Sequence, residues 1–297
     1  VSGKSALTNG IVGSTVAGEY PLQLKCAGYD GVIVTGKAKK PVYVYVDDNK
    51  VELRSAKHVW GKDGKQTVKM LHKEVIEGLE RDYKLKRMWR EPGMLYIGPA
   101  GEKLARVAAV ESKWTHGAGY GGYGAVMGSK NLKALAAVGT GPVPEPADME
   151  ETQRYVRSVT TECFNNDQMR RWGSGYGGYD VGASFSSEPI RNWQEEWHDE
   201  RSFGVDEFER RVWVKRYWGD YGCPSTCLKI ATVKSGPLKG AITDNPDYEI
   251  QAYMGTNLGI FDPEGCAYVA AIGDDMGLCG IQAVSYTHLT LPTNREV

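Results

Sequence analysis

Three groups of reactive side chains follow one another in the C-terminal third of the chain. Cys223 and Cys227 lie four positions apart, and Asp220 precedes the first thiol by three positions. Glu249 and Asp274 follow at intervals. Thiols are soft metal ligands, whereas carboxylates are hard ligands and proton carriers. The combination predicts a redox or metal site.

The composition indicates a globular protein and disfavours several function classes. Of the 297 residues, 41% are hydrophobic, enough for two domains with a sizeable core. The 36 Lys and Arg residues balance the 37 Asp and Glu residues, so no basic field attracts nucleic acid or anionic membranes. No apolar run approaches the ~18 residues of a membrane span. Six cysteines with one close pair favour a reducing cytoplasm over a disulfide framework.

The order of the elements predicts an α+β protein. We expect a β-rich domain over residues 1–141, in which Asp47 and Asp48 open a hairpin turn between two strands. Apolar positions recur at helical spacing over residues 67–79, which predicts a packing helix. Residues 94–97 read as a buried strand.

A proline-rich segment at residues 141–146 marks the expected domain boundary. Residues 147–283 are expected to be mostly helical, with Cys163 in the core of the first helix and His198 on the surface of a second over residues 192–216. Residues 284–297 do not continue the preceding pattern, and we predict that they are a non-native tail.

A glycine-rich loop follows the buried strand. Six glycines stand in the thirteen positions 116–128, and so many leave backbone N–H groups free to face an anion. The order of residues is not that of a Walker loop, and a flexible linker remains the alternative. The Gly, Ser and Thr residues of positions 1–30 likewise predict either ligand-facing loops or plain surface turns.

Several of these strings together resemble the tungsten-containing aldehyde:ferredoxin oxidoreductase family. The resemblance covers about residues 1–283 and depends on four strings, at residues 27–43, 97–102, 124–133 and 274–279. It implies a β-rich base domain under the cofactor, followed by a truncated part of the first helical domain.

The resemblance also implies a cofactor set and an activity. The family binds tungsten, or in relatives molybdenum, through two pterins, with Mg²⁺ bridging the pterin phosphates and a [4Fe-4S] cluster alongside. It oxidises an aldehyde to a carboxylic acid with water and passes the electrons to ferredoxin. The implied partners are a small-molecule aldehyde or acid, ferredoxin or a similar carrier, and further copies of the chain in a homo-oligomer.

Site residues follow from the resemblance position by position. Thr15 stands where the family usually has an asparagine that reaches the magnesium ion, and His116 and Tyr120 stand where it usually has arginines. Losing two permanent cations beside phosphates is not conservative. The Gly117 carbonyl is expected near the magnesium. The full set of expected pterin-binding residues is Thr15, Ala17, His116, Gly117, Gly119, Tyr120, Asp274, Leu278 and Cys279.

Metal and catalytic residues are implied in the same way. The cluster motif of the family has three cysteines, and here Cys223 and Cys227 fill the second and third positions while Asp220 fills the first. A carboxylate ligand should alter the cluster potential and weaken retention of its iron. The fourth ligand lies outside this chain. Glu249 stands where the family keeps a glutamate beside the metal, and we expect it to shuttle the proton of the attacking water.

Two further hypotheses remain open. A catalytic subunit that reduces an aromatic thioester would share the fold and the cofactor. A zinc-stabilised binding module would use Cys223 and Cys227 as half of its site, although C-x3-C is poor zinc spacing and His116 is the only plausible remote ligand. The truncated chain by itself is expected to be inactive.

Overall fold

A computed structural model describes residues 1–48, 50–83, 91–113, 116–177, 185–186, 188–220, 222–244 and 247–289. The chain forms two compact units. The N-terminal unit consists of Val1–Glu145 together with Asp274–Cys279, and the C-terminal unit consists of Pro146–Gly273 together with Gly280–Val297. We call Asp274–Cys279 the motif segment.

The N-terminal unit combines eight described strands with four described helices. Its strands are β1 (Ser2–Lys4), β2 (Ile11–Gly13), β3 (Val42–Asp47), β4 (Lys50–Ser55), β5 (Gly93–Tyr96), β6 (Val110–Ser112), β7 (His116–Ala118) and β8 (Leu132–Val138). Its helices are α1 (Glu19–Cys26), α2 (Gly64–Asp82), α3 (Pro99–Glu102) and α4 (Tyr123–Ser129).

Six of these strands form one mixed sheet in the order β4-β3-β8-β5-β6-β7, while β1 and β2 form a separate pair. Strands β3 and β8 pair in parallel, and the other neighbours pair antiparallel. One face of the sheet packs on α2 through Val68, Leu71, Val75 and Leu79. The other face packs on α1 and α4 through Tyr20, Leu24, Tyr123 and Met127. Helices cover both faces, and β4 and β7 are the outermost strands of this sheet.

The sequence patterns of this unit are confirmed. The predicted hairpin is the β3–β4 pair, with Asp47 opposite Lys50. The predicted packing helix is α2, whose apolar stripe is buried and whose first turn is capped by Asp63, which accepts a hydrogen bond from the Gln66 amide at 2.7 Å. The α+β class is also confirmed.

The C-terminal unit is helical around a small sheet. Its described elements are α5 (Met149–Asn165), α6 (Asp167–Trp172), α7 (Val205–Arg211), β9 (Trp213–Trp218), β10 (Leu228–Thr232), β11 (Ile242–Thr243), α8 (Tyr248–Met254), α9 (Pro263–Met276) and α10 (Gly280–Leu289). Strands β9, β10 and β11 form an antiparallel sheet. Phe203, Phe208, Trp213, Met254 and Cys266 form the centre of the core.

Helix α9 ends at Met276, and its last residues Asp274–Met276 belong to the N-terminal unit. Gly277 follows it with φ of 71°, a left-handed conformation that suits glycine at a helix end. Helix α10 reaches Leu289, and residues 290–297 of the predicted tail lie outside the described residues. None of the described helices combines the length and apolar character needed to cross a bilayer.

Two predictions for this unit are wrong. Cys163 is not a core residue, because α5 buries none of its residues and exposes Met149, Val156 and Val159. Residues 192–216 are not one helix, since they contain a short 3-10 turn, α7 and part of β9. The apolar spacing of α5 predicted an amphipathic helix correctly but could not show whether a partner is present.

His198 is also misplaced by the sequence argument. It is buried, and its Nε2 lies 3.2 Å from Glu188 Oε2, while its Nδ1 accepts a hydrogen bond from the Glu200 amide. Because Nδ1 is an acceptor, the proton is on Nε2, which donates to Glu188. The flanking acids suggested a surface position, but the partner that decides its burial lies ten residues away.

Candidate functional site

The edge strand β7 carries the first expected cofactor residues. In the β6–β7 pairing, Ser112 lies opposite His116 and Glu111 lies opposite Gly117. Gly117 and the following Tyr120 are exposed. The glycine-rich loop therefore begins as β7, the outermost strand of the sheet, where the backbone of Gly117 is exposed.

The motif segment lies against residues 107–109, which directly precede β6. The Ala109 amide donates to the Gly277 carbonyl at 2.9 Å, and the Cys279 amide donates to the Val107 carbonyl at 3.0 Å. Ala108 and Leu278 form an isolated β-bridge. These backbone contacts join positions that are far apart in sequence. The Asp274 carboxylate lies near enough to Glu111 to raise the pKa of that group.

Glycine is required by space at this junction. A Cβ on Gly119 would lie 3.0 Å from Cys279 Sγ, and one on Gly117 would lie 2.8 Å from Glu111 Oε2. These distances are shorter than nearly all contacts of real Cβ atoms. The glycines of β7 therefore allow close packing of the motif segment and of a buried carboxyl group, in addition to any ligand they face.

Thr15 and Ala17 approach the same part of the sheet from β2. Both are exposed, and a Cβ on the next residue, Gly18, would lie 2.5 Å from the Ser112 hydroxyl. Glu19 is paired with Lys113 at 2.6 Å, which anchors the start of α1 beside β6. All nine expected pterin residues are consequently carried by the N-terminal unit.

Two buried polar residues of this region were not predicted. Glu111 is 3% exposed, and burial, followed by the Asp274 carboxylate, raises its pKa well above the usual range, which favours the protonated form. Tyr96, opposite Glu111 in β5, is fully buried, and its hydroxyl has no hydrogen bond to any described residue. The sequence signal that could have revealed Glu111 is its position directly after the apolar run of residues 107–110.

The thiols lie on the loop between β9 and β10. The Cys223 amide donates to the Asp220 carbonyl at 3.0 Å in a turn. The backbones of Cys227 and Trp218 form an isolated β-bridge. Neither thiol is in a disulfide; Cys223 is exposed and Cys227 is half-buried. The described residues contain no group of three His, Cys, Asp or Glu side chains that could hold a single metal ion. The loop supplies ligands of the right chemistry for an iron–sulfur cluster, from two free thiols and a carboxylate.

A buried lysine lies under this loop. Lys229 is fully buried in β10, and its ammonium donates to the carbonyls of Thr226, Leu228 and Arg170. Burial lowers the pKa of Lys229 to about 8, while the nearby Cys227 and Glu209 oppose that shift. No sequence argument singled out this residue.

Glu249 lies in the first turn of α8 and is exposed. The cap of that helix is Asp247, which accepts a hydrogen bond from the Ile250 amide at 3.0 Å. Burial, and then the Glu249 carboxylate, raise the pKa of Asp247 to about 7. Asp247 was not singled out from the sequence.

Family models match nearly the whole chain. Residues 1–139 match the N-terminal domain of aldehyde ferredoxin oxidoreductase, and residues 150–287 match domains 2 and 3 of the same enzyme. The chain belongs to the aldehyde ferredoxin oxidoreductase family. The resemblance drawn from the sequence strings is thereby confirmed.

Curated members of the aldehyde ferredoxin oxidoreductase family extend well beyond this chain. An aliphatic sulfonate oxidoreductase, WOR-like subunit, from Pyrococcus furiosus is 53% identical over 278 residues, covering 94% of this chain and 45% of that protein. Two tungsten-containing aldehyde ferredoxin oxidoreductases are also similar. The Pyrococcus furiosus protein is 36% identical, covering 93% of this chain and 43% of that protein. The Thermococcus kodakarensis protein is 34% identical, covering 87% of this chain and 40% of that protein. The chain spans less than half the length of these relatives.

One solved structure shares the fold. The active-site complex of benzoyl coenzyme A reductase, solved with 1,5-dienoyl-CoA, superposes with a TM-score of 0.78 over 99% of this chain and 44% of its own. The two sequences are 23% identical. This likeness supports the fold of the aldehyde ferredoxin oxidoreductase family and carries no statement about substrate.

Proposed function

We propose that the whole protein is a tungsten-dependent oxidoreductase that oxidises an aldehyde to a carboxylic acid with water and delivers the electrons to ferredoxin. The observation that carries the proposal is the packing of the motif segment beside residues 107–109 and Gly119. It joins Asp274, Leu278 and Cys279 to Gly117 and Gly119 in one compact unit.

The residues at this edge suit a bis-pterin cofactor. The exposed backbone of Gly117 is a feature that a polar ring system can use. Asp274 would bind pterin ring nitrogens, while Thr15, Ala17, His116 and Tyr120 would lie toward the phosphates and their Mg²⁺. When bound, the tungsten centre supplies two-electron redox chemistry at the substrate carbon. The protein would orient the cofactor through these residues.

Electron and proton transfer are assigned to the C-terminal unit. Asp220, Cys223 and Cys227 would hold a [4Fe-4S] cluster, with the fourth ligand supplied from outside this chain. Glu249 would take the proton of the attacking water. Asp247, whose pKa is about 7, would accept that proton from Glu249 at neutral pH and so return the glutamate to its ionised form.

A second substrate class is favoured by one observation. Identity to the aliphatic sulfonate oxidoreductase subunit is 53%, against 36% to the aldehyde enzyme of the same organism. An aliphatic sulfonate is therefore the rival substrate. The thioester reductase has only the shared fold in its support.

Anaerobic elemental analysis and a substrate panel test the proposal. The full-length protein should contain about one tungsten and four irons per chain, and should reduce a ferredoxin or viologen dye with aldehydes. Turnover of an aliphatic sulfonate, with aldehydes inert, would replace the substrate assignment. Zinc in the absence of iron would reject the redox function and favour the binding module.

A further inference from the structure

The buried ammonium of Lys229 has an unusual set of partners. Its three hydrogen bonds run to the carbonyl oxygens of Thr226 at 2.9 Å, Arg170 at 3.1 Å and Leu228 at 3.2 Å. An ammonium has three N–H donors and no acceptor, whereas a neutral amine has two donors and a lone pair. Three acceptors around one nitrogen therefore identify the charged form.

Lys229 forms no ion pair with any residue that the structure describes, although the buried Glu209 carboxylate lies close enough to favour the charged form of the lysine. The Trp213 and Tyr217 rings lie 5.9 Å and 5.7 Å from the nitrogen and provide weak cation–π stabilisation. Burying a cation without an anionic partner is costly. Because of this cost, we expect the cofactor-loaded protein to place further negative charge close to Lys229.

The hydrogen bond to Thr226 points to where that charge lies. Thr226 immediately precedes Cys227, so the ammonium holds the backbone of the thiol-bearing loop directly. A cluster held by two thiolates and the Asp220 carboxylate would bring several negative charges to this loop, and reduction would add one more. A buried positive charge stabilises the reduced form more than the oxidised form.

We propose that Lys229 is a positioning residue of the iron–sulfur site, one that fixes the Cys227 loop and raises the reduction potential of the cluster. The inference rests on the proposed function, because it requires a cluster on this loop. Lys229 would not bind the cluster itself. It would act by holding the Cys227 loop in place and by its positive charge.

A purely structural role predicts something different. If Lys229 only joined the loop to α6, its removal would lower thermal stability or iron content but would leave the potential of the remaining clusters unchanged. A measurement of the reduction potential of the cluster therefore distinguishes a structural role of Lys229 from an electrostatic one.

The test uses the full-length, cofactor-loaded protein and a mediated redox titration followed by EPR. Lys229→Met should retain iron and lower the ratio of reduced to oxidised cluster about tenfold at a fixed potential, equivalent to ~59 mV for one electron. Lys229→Arg, which keeps the charge, should stay near wild type. Lys215→Met is the matched control, because Lys215 is exposed on the neighbouring strand and its charge is screened by solvent.

Each outcome decides the matter. Wild-type protein without iron would refute the proposed function. Iron-replete Lys229→Met with an unchanged potential, or a shift equal to that of Lys215→Met, would overturn this inference alone. If Lys229→Met loses its iron, Lys229→Gln, which retains two amide donors, repeats the measurement. Loss of iron in both neutral variants would assign Lys229 a structural role and reject the electrostatic one.

Discussion

Replacing Gly98 with alanine should detach the motif segment from the sheet. Gly98 precedes α3 with φ of −83° and ψ of −176°, a conformation that alanine adopts without strain. Its Cβ, however, would lie 2.3 Å from the Met276 carbonyl oxygen and 2.6 Å from the Gly277 nitrogen. Both contacts are with backbone, so no side-chain rotation relieves them.

The magnitude follows from what holds the segment in place. The hydrogen bonds from Ala109 to Gly277 and from Cys279 to Val107 contribute about 1 kcal/mol each. Overpacking costs roughly 1–3 kcal/mol, comparable with giving up both bonds. Opening of the segment should therefore become easier by about 2 kcal/mol, which corresponds to about 30-fold faster exchange at the two amides.

Hydrogen exchange with mass spectrometry measures this at the peptides that contain Ala109 and Cys279. Gly13→Ala is the matched control, since Gly13 lies in β2 of the same unit and its Cβ would meet nothing within 4 Å; its effect should stay within about 0.5 kcal/mol. Exchange at Ala109 and Cys279 within about threefold of wild type in Gly98→Ala would refute the steric argument.

Three other predictions concern charge and cofactor. Lys133→Met should destabilise the chain by about 3–5 kcal/mol in urea unfolding, because it leaves Glu102 buried without its partner at 2.5 Å; a loss below about 1 kcal/mol would show that Glu102 escapes to solvent. The pKa of Asp247 is raised on folding, so the folded state binds its proton more tightly and stability should fall as pH rises from about 4 to 7. Asp247→Asn, which keeps the helix cap, should flatten that profile, and an unchanged slope would assign it to other groups. The chain of 297 residues expressed alone should hold no stable tungsten, a prediction that stoichiometric tungsten and four irons after purification would contradict.

Much of the N-terminal unit is determined by local patterns and was predictable. The hairpin at Asp47 and the stripe of α2 need only neighbours in sequence. The strings at residues 97–102, 124–133 and 274–279 also led to the family. The contact of Cys279 with Gly119 was not predictable from spacing, because it joins positions far apart in the chain.

Burial of charged groups was the main failure. Glu111, Lys229 and His198 are all buried. Lys229 donates to the Arg170 carbonyl on another element, and His198 pairs with Glu188 ten residues earlier. Sequence periodicity treats a charged residue as a surface residue by default. A charged residue directly after an apolar run, as Glu111 is after residues 107–110, is a sequence signal of such burial.

The seating of the motif segment also sets an order of assembly. The sheet of the N-terminal unit needs only residues up to Val138, but its junction with Gly277 closes a loop that begins at Ala109. Closing a loop of that length costs on the order of 4–5 kcal/mol of chain entropy. A nascent chain therefore completes its sheet first, and the motif segment can join it only after Cys279 has left the ribosome, so insertion of the proposed pterin cofactor would belong to a late stage of folding.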